Sequence, residues 1–328
     1  MIDFYGLLKD TNAYKIVKGD KENGRLSHAY LFVTPDGDNL LNYLKVLAKT
    51  IICEDGSPCL NCRKCKLIDK EEYVDAMFFP KNGDTVTAED VSLLIDEAYL
   101  KPIEGKKKIF IINHGENLSA LVQNKLLKTI EEPPENVYLL IGAVNDYAIL
   151  PTVKSRAKKI SAENFTDEVI LNAIKTECED TEKLKYAVSC ASGSVGEALK
   201  LYDDENLKET LDFSADMIVN MQSSKDVLTY SVKAAALKDG VNGLLSALEI
   251  VFRDLLVGRV SPEKVKLKDV FEKVKNAKGY SDGAIINALD KINEAQKRNK
   301  FNANPTMLTE WLMLQILEGK YKWQKLSE

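Results

Sequence analysis

The chain has 328 residues, of which 45% are hydrophobic and 29% charged, as is typical of a soluble globular protein with room for two or three domains. Its formal net charge is −5. This disfavours a protein whose main task is to neutralise nucleic-acid phosphates, so we expect any DNA contact to be local or made by partners. The sequence shows neither a signal peptide nor an apolar stretch long enough to span a bilayer, which predicts a cytoplasmic protein.

The first third of the chain reads as helix, strand, turn and helix. A helix is predicted over residues 7–20, ending near Gly24, and a strand over 29–33. Residues 34–39 contain Pro, Gly, Asp and Asn and predict a turn, while the apolar spacing over 40–52 predicts a helix. A tight turn between a strand and a helix is the usual place of a phosphate-binding loop in α/β proteins.

Four cysteines follow this helix within 13 positions: Cys53, Cys59, Cys62 and Cys65. Four thiolates with this spacing suit a tetrahedral Zn²⁺, and four protein ligands would leave no open position for catalysis. A redox pair and an iron–sulfur cluster are the alternatives to a structural zinc site. Disulfide bonds are disfavoured in a reducing cytoplasm.

The next segment predicts alternating strands and helices. A strand near 75–79 precedes a helix that begins at a capping-box-like Thr87 and runs to about Leu100. Strands near 108–112 and 137–142 flank a helix over 118–132, and a last strand is predicted near 157–160. A βαβ unit of this kind predicts parallel strands and an α/β fold.

Beyond residue 165 the pattern is helical. Phe165 to about Leu207 predicts short helices, and six longer ones follow. They are predicted near 206–221, 224–237, 240–258, 265–277, 281–300 and 304–318.

One block carries a family resemblance. Residues 124–134, Asn-Lys-Leu-Leu-Lys-Thr-Ile-Glu-Glu-Pro-Pro, and Ser155-Arg156 after Leu150-Pro151 resemble clamp-loader subunits of bacterial DNA polymerase III, which are AAA+ proteins. The resemblance implies a P-loop-type AAA+ domain over 1–162 with a zinc module at 53–65, a helical lid domain over 163–207 and a helical collar domain over 208–328. It implies a component of the DNA polymerase III holoenzyme that is not itself a polymerase.

Aligned on Pro35 and Gly37, the family's phosphate-binding loop falls on residues 34–41 and is degenerate here. Gly37 matches, whereas Thr34 and Asn39 stand at glycine positions, Leu40 at the lysine and Leu41 at the Ser/Thr. Asp36 and Asp38 add negative charge where phosphates would lie, and Asn113-His114 stands in place of the Walker B Asp-Glu pair. Leucine can neither neutralise phosphate nor hold Mg²⁺, so we expect no ATP binding or hydrolysis by this chain alone.

Arg156 is the candidate catalytic residue, with Ser155 beside it and Ala157 where the family has cysteine. The residues alone favour a surface arginine paired with an acidic neighbour, whereas the resemblance implies an arginine finger that reaches the ATP of an adjacent subunit. Glu197 stands where active subunits carry a sensor arginine. The implied partners are gamma/tau-type motor subunits and a delta subunit in a pentameric ring, with the sliding clamp and primer-template DNA reached through the complex.

Two alternatives stay open from the sequence. One is an ATP-hydrolysing motor subunit of the same family, against which Leu40 argues. The other is a zinc-stabilised DNA-binding adaptor unrelated to replication, against which the acidic pI of about 5.4 argues.

Overall fold

The computed structural model describes residues 2–55, 58–83, 85–235, 237, 240–300 and 304–324. The chain divides into two compact units. The first comprises Met1–Glu177 and Ser194–Gly196, and the second comprises Cys178–Gly193 and Glu197–Glu328. The predicted boundaries of the lid and collar domains, at 162 and 207, stay a prediction.

The first unit contains a five-stranded parallel sheet in the order β2-β3-β4-β1-β5. The strands are β1 Ala29–Val33, β2 Ala76–Phe79, β3 Lys108–Ile112, β4 Val137–Ala143 and β5 Lys158–Ser161. β4 is buried along its whole length, as its unbroken apolar run predicted. The parallel pairing of β3 with β4, in register from Lys108 opposite Val137, confirms the predicted βαβ unit.

Among the described residues, the first unit contains the helices α1 Phe4–Leu8, α2 Asn12–Glu22, α3 Leu40–Ile52, α4 Arg63–Asp69, α5 Ala88–Ala98, α6 Ala120–Glu131, α7 Pro151–Lys154 and α8 Asp167–Ile174. Short 3₁₀ turns at Gly37–Asn39 and Gly115–Asn117 precede α3 and α6. The predicted capping box of α5 is confirmed, because Thr87 and Asp90 exchange hydrogen bonds between side chain and backbone.

The prediction of one helix over 7–20 is wrong. Asp3 caps α1, and Thr11 caps α2 by accepting a hydrogen bond from the backbone N–H of Tyr14. The polar residues between Leu8 and Thr11 therefore separate two helices, because a capping threonine begins a new helix instead of continuing the old one.

The described residues of the second unit form helices. They are α9 Thr181–Cys190, most of α10 Val195–Asp203, α11 Leu207–Asn220, α12 Ser224–Ala235, α13 Gly240–Val260, α14 Lys268–Val274, α15 Asp282–Lys300 and α16 Pro305–Gln324. The predicted helix over 265–277 is shorter and follows a 3₁₀ turn at Pro262–Lys264, whereas α16 extends beyond the predicted end at 318. The α/β fold class with a cysteine cluster and a helical C-terminal part is confirmed.

Candidate functional site

The degenerate loop follows β1, which lies between β4 and β5 in the sheet. The backbone N–H of Thr34 donates to the carbonyl of Ala143 at the end of β4, at 3.1 Å. The loop therefore lies at the carboxyl edge of the sheet, where open parallel sheets bind their ligands.

Leu40, at the position of the family's lysine, points into the protein core. Its side chain is fully buried. A Cβ atom added to Gly142 of β4 would lie 3.0 Å from Leu40 Cδ1, so the leucine packs directly on that strand. The first residue of α3 thus contributes to the core and supplies no charge to the loop.

Asp36 is buried within the loop and accepts several hydrogen bonds. Asn39 Nδ2 lies 3.3 Å from each of its carboxylate oxygens, and the Tyr43 hydroxyl donates to Oδ2 at 2.7 Å. Burial, and then the Asp36 carboxylate, raises the pKa of Tyr43 far above its usual range. Tyr43 therefore remains a hydrogen-bond donor to Asp36 at any physiological pH.

The start of α10 supplies the other donors to Asp36, and it belongs to the same compact unit as the loop. Ser194 Oγ donates at 3.1 Å, and the backbone N–H groups of Val195 and Gly196 donate at 3.2 Å each. The approach is close: a Cβ atom on Gly196 would lie 2.8 Å from Asp36 Oδ1 and 2.6 Å from the Cβ of Asp38. Only glycine fits here without a shift of the loop.

The Walker B positions lie next to the loop. A Cβ atom added to Gly37 would lie 3.6 Å from Cε1 of His114. His114 has a left-handed backbone (φ 54°), and its Nδ1 lies 3.0 Å from Glu116 Oε1. Within the described residues, the buried oxygens Asn113 Oδ1 and Glu116 Oε2 have no hydrogen-bond partner. The residues predicted at the Walker B positions thus present an amide and an imidazole beside the loop.

Arg156 lies on the surface after α7. Its Nε forms an ion pair with Glu131, the last residue of α6, and its Nη1 donates to the Thr152 carbonyl at 3.1 Å and to Ser155 Oγ at 3.2 Å. In the described part of the chain, its Nη2 has no hydrogen-bond partner. Contacts within the chain therefore engage Nε and Nη1, and the side chain is still 39% exposed. Ala157, in contrast, is buried in the core.

The predicted metal ligands lie together. The sulfur atoms of Cys53, Cys59, Cys62 and Cys65 are all within 4.8 Å of one another. Two of these pairs, Cys53–Cys62 and Cys59–Cys65, are 4.0 Å apart. Tetrahedral zinc with Zn–S bonds of about 2.3 Å places its sulfurs about 3.8 Å apart, so the cluster fits such an ion closely.

Local backbone groups prepare these sulfurs for a metal. The N–H of Cys62 donates to Cys59 Sγ at 3.3 Å, and the N–H of Cys65 donates to Cys62 Sγ at 3.4 Å. The hydrogen bond from Cys62, followed by one from Asn61, lowers the pKa of the Cys59 thiol to about 6. These bonds favour the thiolate form of Cys59, the form that metal ions bind, whereas burial raises the pKa of the Cys53 and Cys65 thiols.

Comparisons with known families and sequences show which proteins this chain resembles. A family model described as DNA polymerase III, delta subunit, matches residues 9–166. DNA polymerase III subunit delta' of Bacillus subtilis is 25% identical over 314 residues, which cover 93% of this chain and 95% of that protein. The chain is thus similar to DNA polymerase III clamp-loader subunits over nearly its whole length. This confirms the family resemblance found in the sequence.

Other similar proteins are named as tau or gamma-related subunits of DNA polymerase III. Subunit tau of B. subtilis is 24% identical over 91% of this chain, which spans 58% of that protein. Subunit tau of Escherichia coli is 32% identical over 55% of this chain and 29% of its own length. A solved gamma subunit-related protein of Thermotoga maritima covers 94% of this chain at 18% identity, with a TM-score of 0.43. In the described part of the chain, no helix is both long and apolar enough to cross a membrane.

The structure brings together only some of the predicted site residues. The loop, His114 and the start of α10 meet at one edge of the sheet, and the four cysteines form a separate cluster. The donors Tyr43, Ser194 and Val195 were missed. Ser194 and Val195 are 158 and 159 residues from Asp36 along the chain, and no pattern in the sequence linked them to it.

Proposed function

We propose that this chain is the delta-prime subunit of a DNA polymerase III clamp loader. It neither binds nor hydrolyses ATP, and it lends Arg156 to the ATP held by a neighbouring gamma/tau-type motor subunit. The similarity to clamp-loader subunits supports a role in a clamp loader. The match over almost the whole length of a delta' subunit favours that subunit.

The observation that carries the proposal is the state of the loop. Binding of a triphosphate needs a cation and free backbone N–H groups around the phosphates. Here the lysine position holds Leu40, which is buried against Gly142, and the loop presents the carboxylate of Asp36 instead. Both changes act against phosphate binding, one by removing positive charge and the other by adding negative charge.

The surface position of Arg156 supports a role in trans. The side chain is 39% exposed, and its ion pair with Glu131 lies at the surface. An arginine brought to the γ-phosphate of a neighbour stabilises the charge that develops there during transfer, and such fingers contribute about 10³-fold or more to turnover. Arginine suits this task better than lysine because its planar group can bind phosphate with two N–H donors at once.

In the proposed complex, the cysteine cluster binds one structural zinc ion. The chain assembles in the cytoplasm with gamma/tau and delta subunits into a pentameric ring. ATP binding by the motor subunits then opens the sliding clamp and places it on primer-template DNA. The contribution of this chain is assembly and the trans arginine.

The test is reconstitution with gamma/tau and delta subunits, followed by measurement of DNA-stimulated ATP turnover with Arg156→Ala. We expect normal assembly and a loss of about 10³-fold at the ATP site that this chain faces. Arg25→Ala, which removes an exposed arginine of the same unit outside the site, is the matched control. Normal turnover in an assembled Arg156→Ala complex would contradict the arginine-finger role.

The matches to tau subunits favour a motor subunit as the second candidate. The isolated chain separates the two functions directly. A motor subunit binds Mg·ATP and turns it over, whereas a delta-prime subunit shows neither activity at millimolar nucleotide.

A further inference from the structure

Asp36 is an unusual carboxylate because it is buried and surrounded by donors. The residue is only 2% exposed. Five groups donate to its two oxygens: Asn39 Nδ2, Tyr43 OH, Ser194 Oγ and the backbone N–H groups of Val195 and Gly196. Every one of these groups is a donor, so the carboxylate oxygens of Asp36 serve as the acceptors of all five.

The donor set resembles one that binds an oxyanion. Two successive backbone N–H groups at the start of α10 converge with the hydroxyl of Ser194 on one anionic group. Exposed N–H groups and the helix dipole make such a helix start favourable for phosphate or carboxylate. The buried carboxylate of Asp36 already fills the place that such an anion would take.

The position coincides with the place where phosphates would lie. Asp36 belongs to residues 34–41, the segment aligned with the family's phosphate-binding loop. The close approach of Gly196 to Asp36 and Asp38 leaves no room for a second anion beside the carboxylate. Two anions in one small buried site would also repel each other strongly.

We propose that Asp36 is a built-in substitute for phosphate: its carboxylate occupies an oxyanion site formed by the loop and the start of α10, and thereby keeps phosphate groups out. The inference deepens the proposed lack of nucleotide binding and rests on it. It adds that the site is still able to bind an anion, and that the chain supplies this anion itself.

The test removes the carboxylate and offers a free anion in its place. Asp36→Ala leaves five donors around an empty space, and buried donors without partners destabilise the fold. Thermal melting of the full chain is measured in formate, phosphate or sulfate, each compared with chloride at equal ionic strength. We expect a saturable rise of the Tm of Asp36→Ala, with the folding equilibrium constant about tenfold higher at an anion concentration tenfold above Kd.

Asp10→Ala is the matched control, because Asp10 is an exposed aspartate of the same unit that lies outside the loop. Both it and the wild-type chain should show only the general salt response. Asp36→Ser, which retains one acceptor, is the milder variant in case Asp36→Ala folds poorly. If Asp36→Ala folds only in the presence of formate or phosphate, that recovery is itself the expected rescue.

The outcomes separate this inference from the proposed function. If the wild-type chain binds Mg·ATP, the proposed function fails. If the wild-type chain binds none but Asp36→Ala and Asp36→Ser respond to anions no more than Asp10→Ala does, the inference is overturned. Asp36 would then only cap α10, and the proposed function would still stand.

Discussion

The ion pair between Arg156 and Glu131 determines how easily the guanidinium can turn from its own chain to a partner's phosphate. The two side chains are 39% and 44% exposed. An ion pair this exposed stabilises its geometry by about 0.2–1 kcal/mol, because water screens the charges and both side chains lose rotational freedom. A free energy of ~1 kcal/mol corresponds to about fivefold in an equilibrium constant.

Glu131→Gln should therefore have a small effect. The free energy of unfolding of the isolated chain, measured by urea denaturation, should change by less than about 1 kcal/mol. In the reconstituted complex, DNA-stimulated ATP turnover should change by less than about fivefold, whereas Arg156→Ala should cost about 10³-fold at the site that it faces. Glu132→Gln, at the neighbouring exposed carboxylate, is the control and should change neither quantity.

One result would refute this reasoning. If Glu131→Gln lowers turnover as severely as Arg156→Ala while the complex still assembles, the pair and not the arginine would be the functional unit. The change in turnover that we expect from the exposure of the ion pair would then be wrong by at least two orders of magnitude. Arg156→Lys sharpens the comparison, because lysine keeps the charge but lacks the planar group that can bind phosphate with two N–H donors at once.

Three further predictions concern the loop and the cysteine cluster. Leu40→Lys should lower the free energy of unfolding by about 3 kcal/mol or more in urea denaturation, because it places a charge in the core. For the same reason the variant should not bind ATP. Mg·ATP binding by this variant would contradict the description of the loop. Gly196→Ala should destabilise the fold by about 1–3 kcal/mol through overpacking. Gly19→Ala, with nothing within 4 Å of the added Cβ, should be neutral or stabilising by about 0.5–1 kcal/mol. Equal melting temperatures of the two variants would argue against the close approach of Gly196 to the loop. The chain should carry about one zinc ion by elemental analysis, lost in Cys65→Ser but retained in Cys178→Ser.

The sheet could be predicted from the sequence because its strands are short, uninterrupted apolar runs. β3 was predicted to the residue, and the parallel pairing with β4 followed from the helix between them. The helix boundaries near the N-terminus could not be predicted as well. There, the choice between one helix and two depended on whether Thr11 hydrogen-bonds locally, which periodicity does not reveal.

The candidate site could be predicted only in part, because residues that meet at the site lie far apart in the sequence. The family resemblance predicted that Asp36 adds charge where phosphates would lie, but Ser194, which donates to it, is 158 residues away. A sequence gives the charge of a group and not the donors that surround it. The interpretation of Arg156 as a surface arginine paired with an acidic neighbour is correct as a description of its contact with Glu131.

The changes in the loop act in the same direction although they are chemically unrelated. Leu40 places apolar volume in the core, Asp36 supplies its own anion, and Gly196 brings α10 close to the loop. Restoring any one of them leaves the other two in place, so no single substitution is expected to return a working nucleotide site. A loop filled in this way does not alternate between nucleotide states. In the proposed ring, this chain would then act on ATP hydrolysis through the guanidinium of Arg156. The ion pair that holds the guanidinium at the surface is weak enough for Arg156 to exchange Glu131 for a neighbour's phosphate.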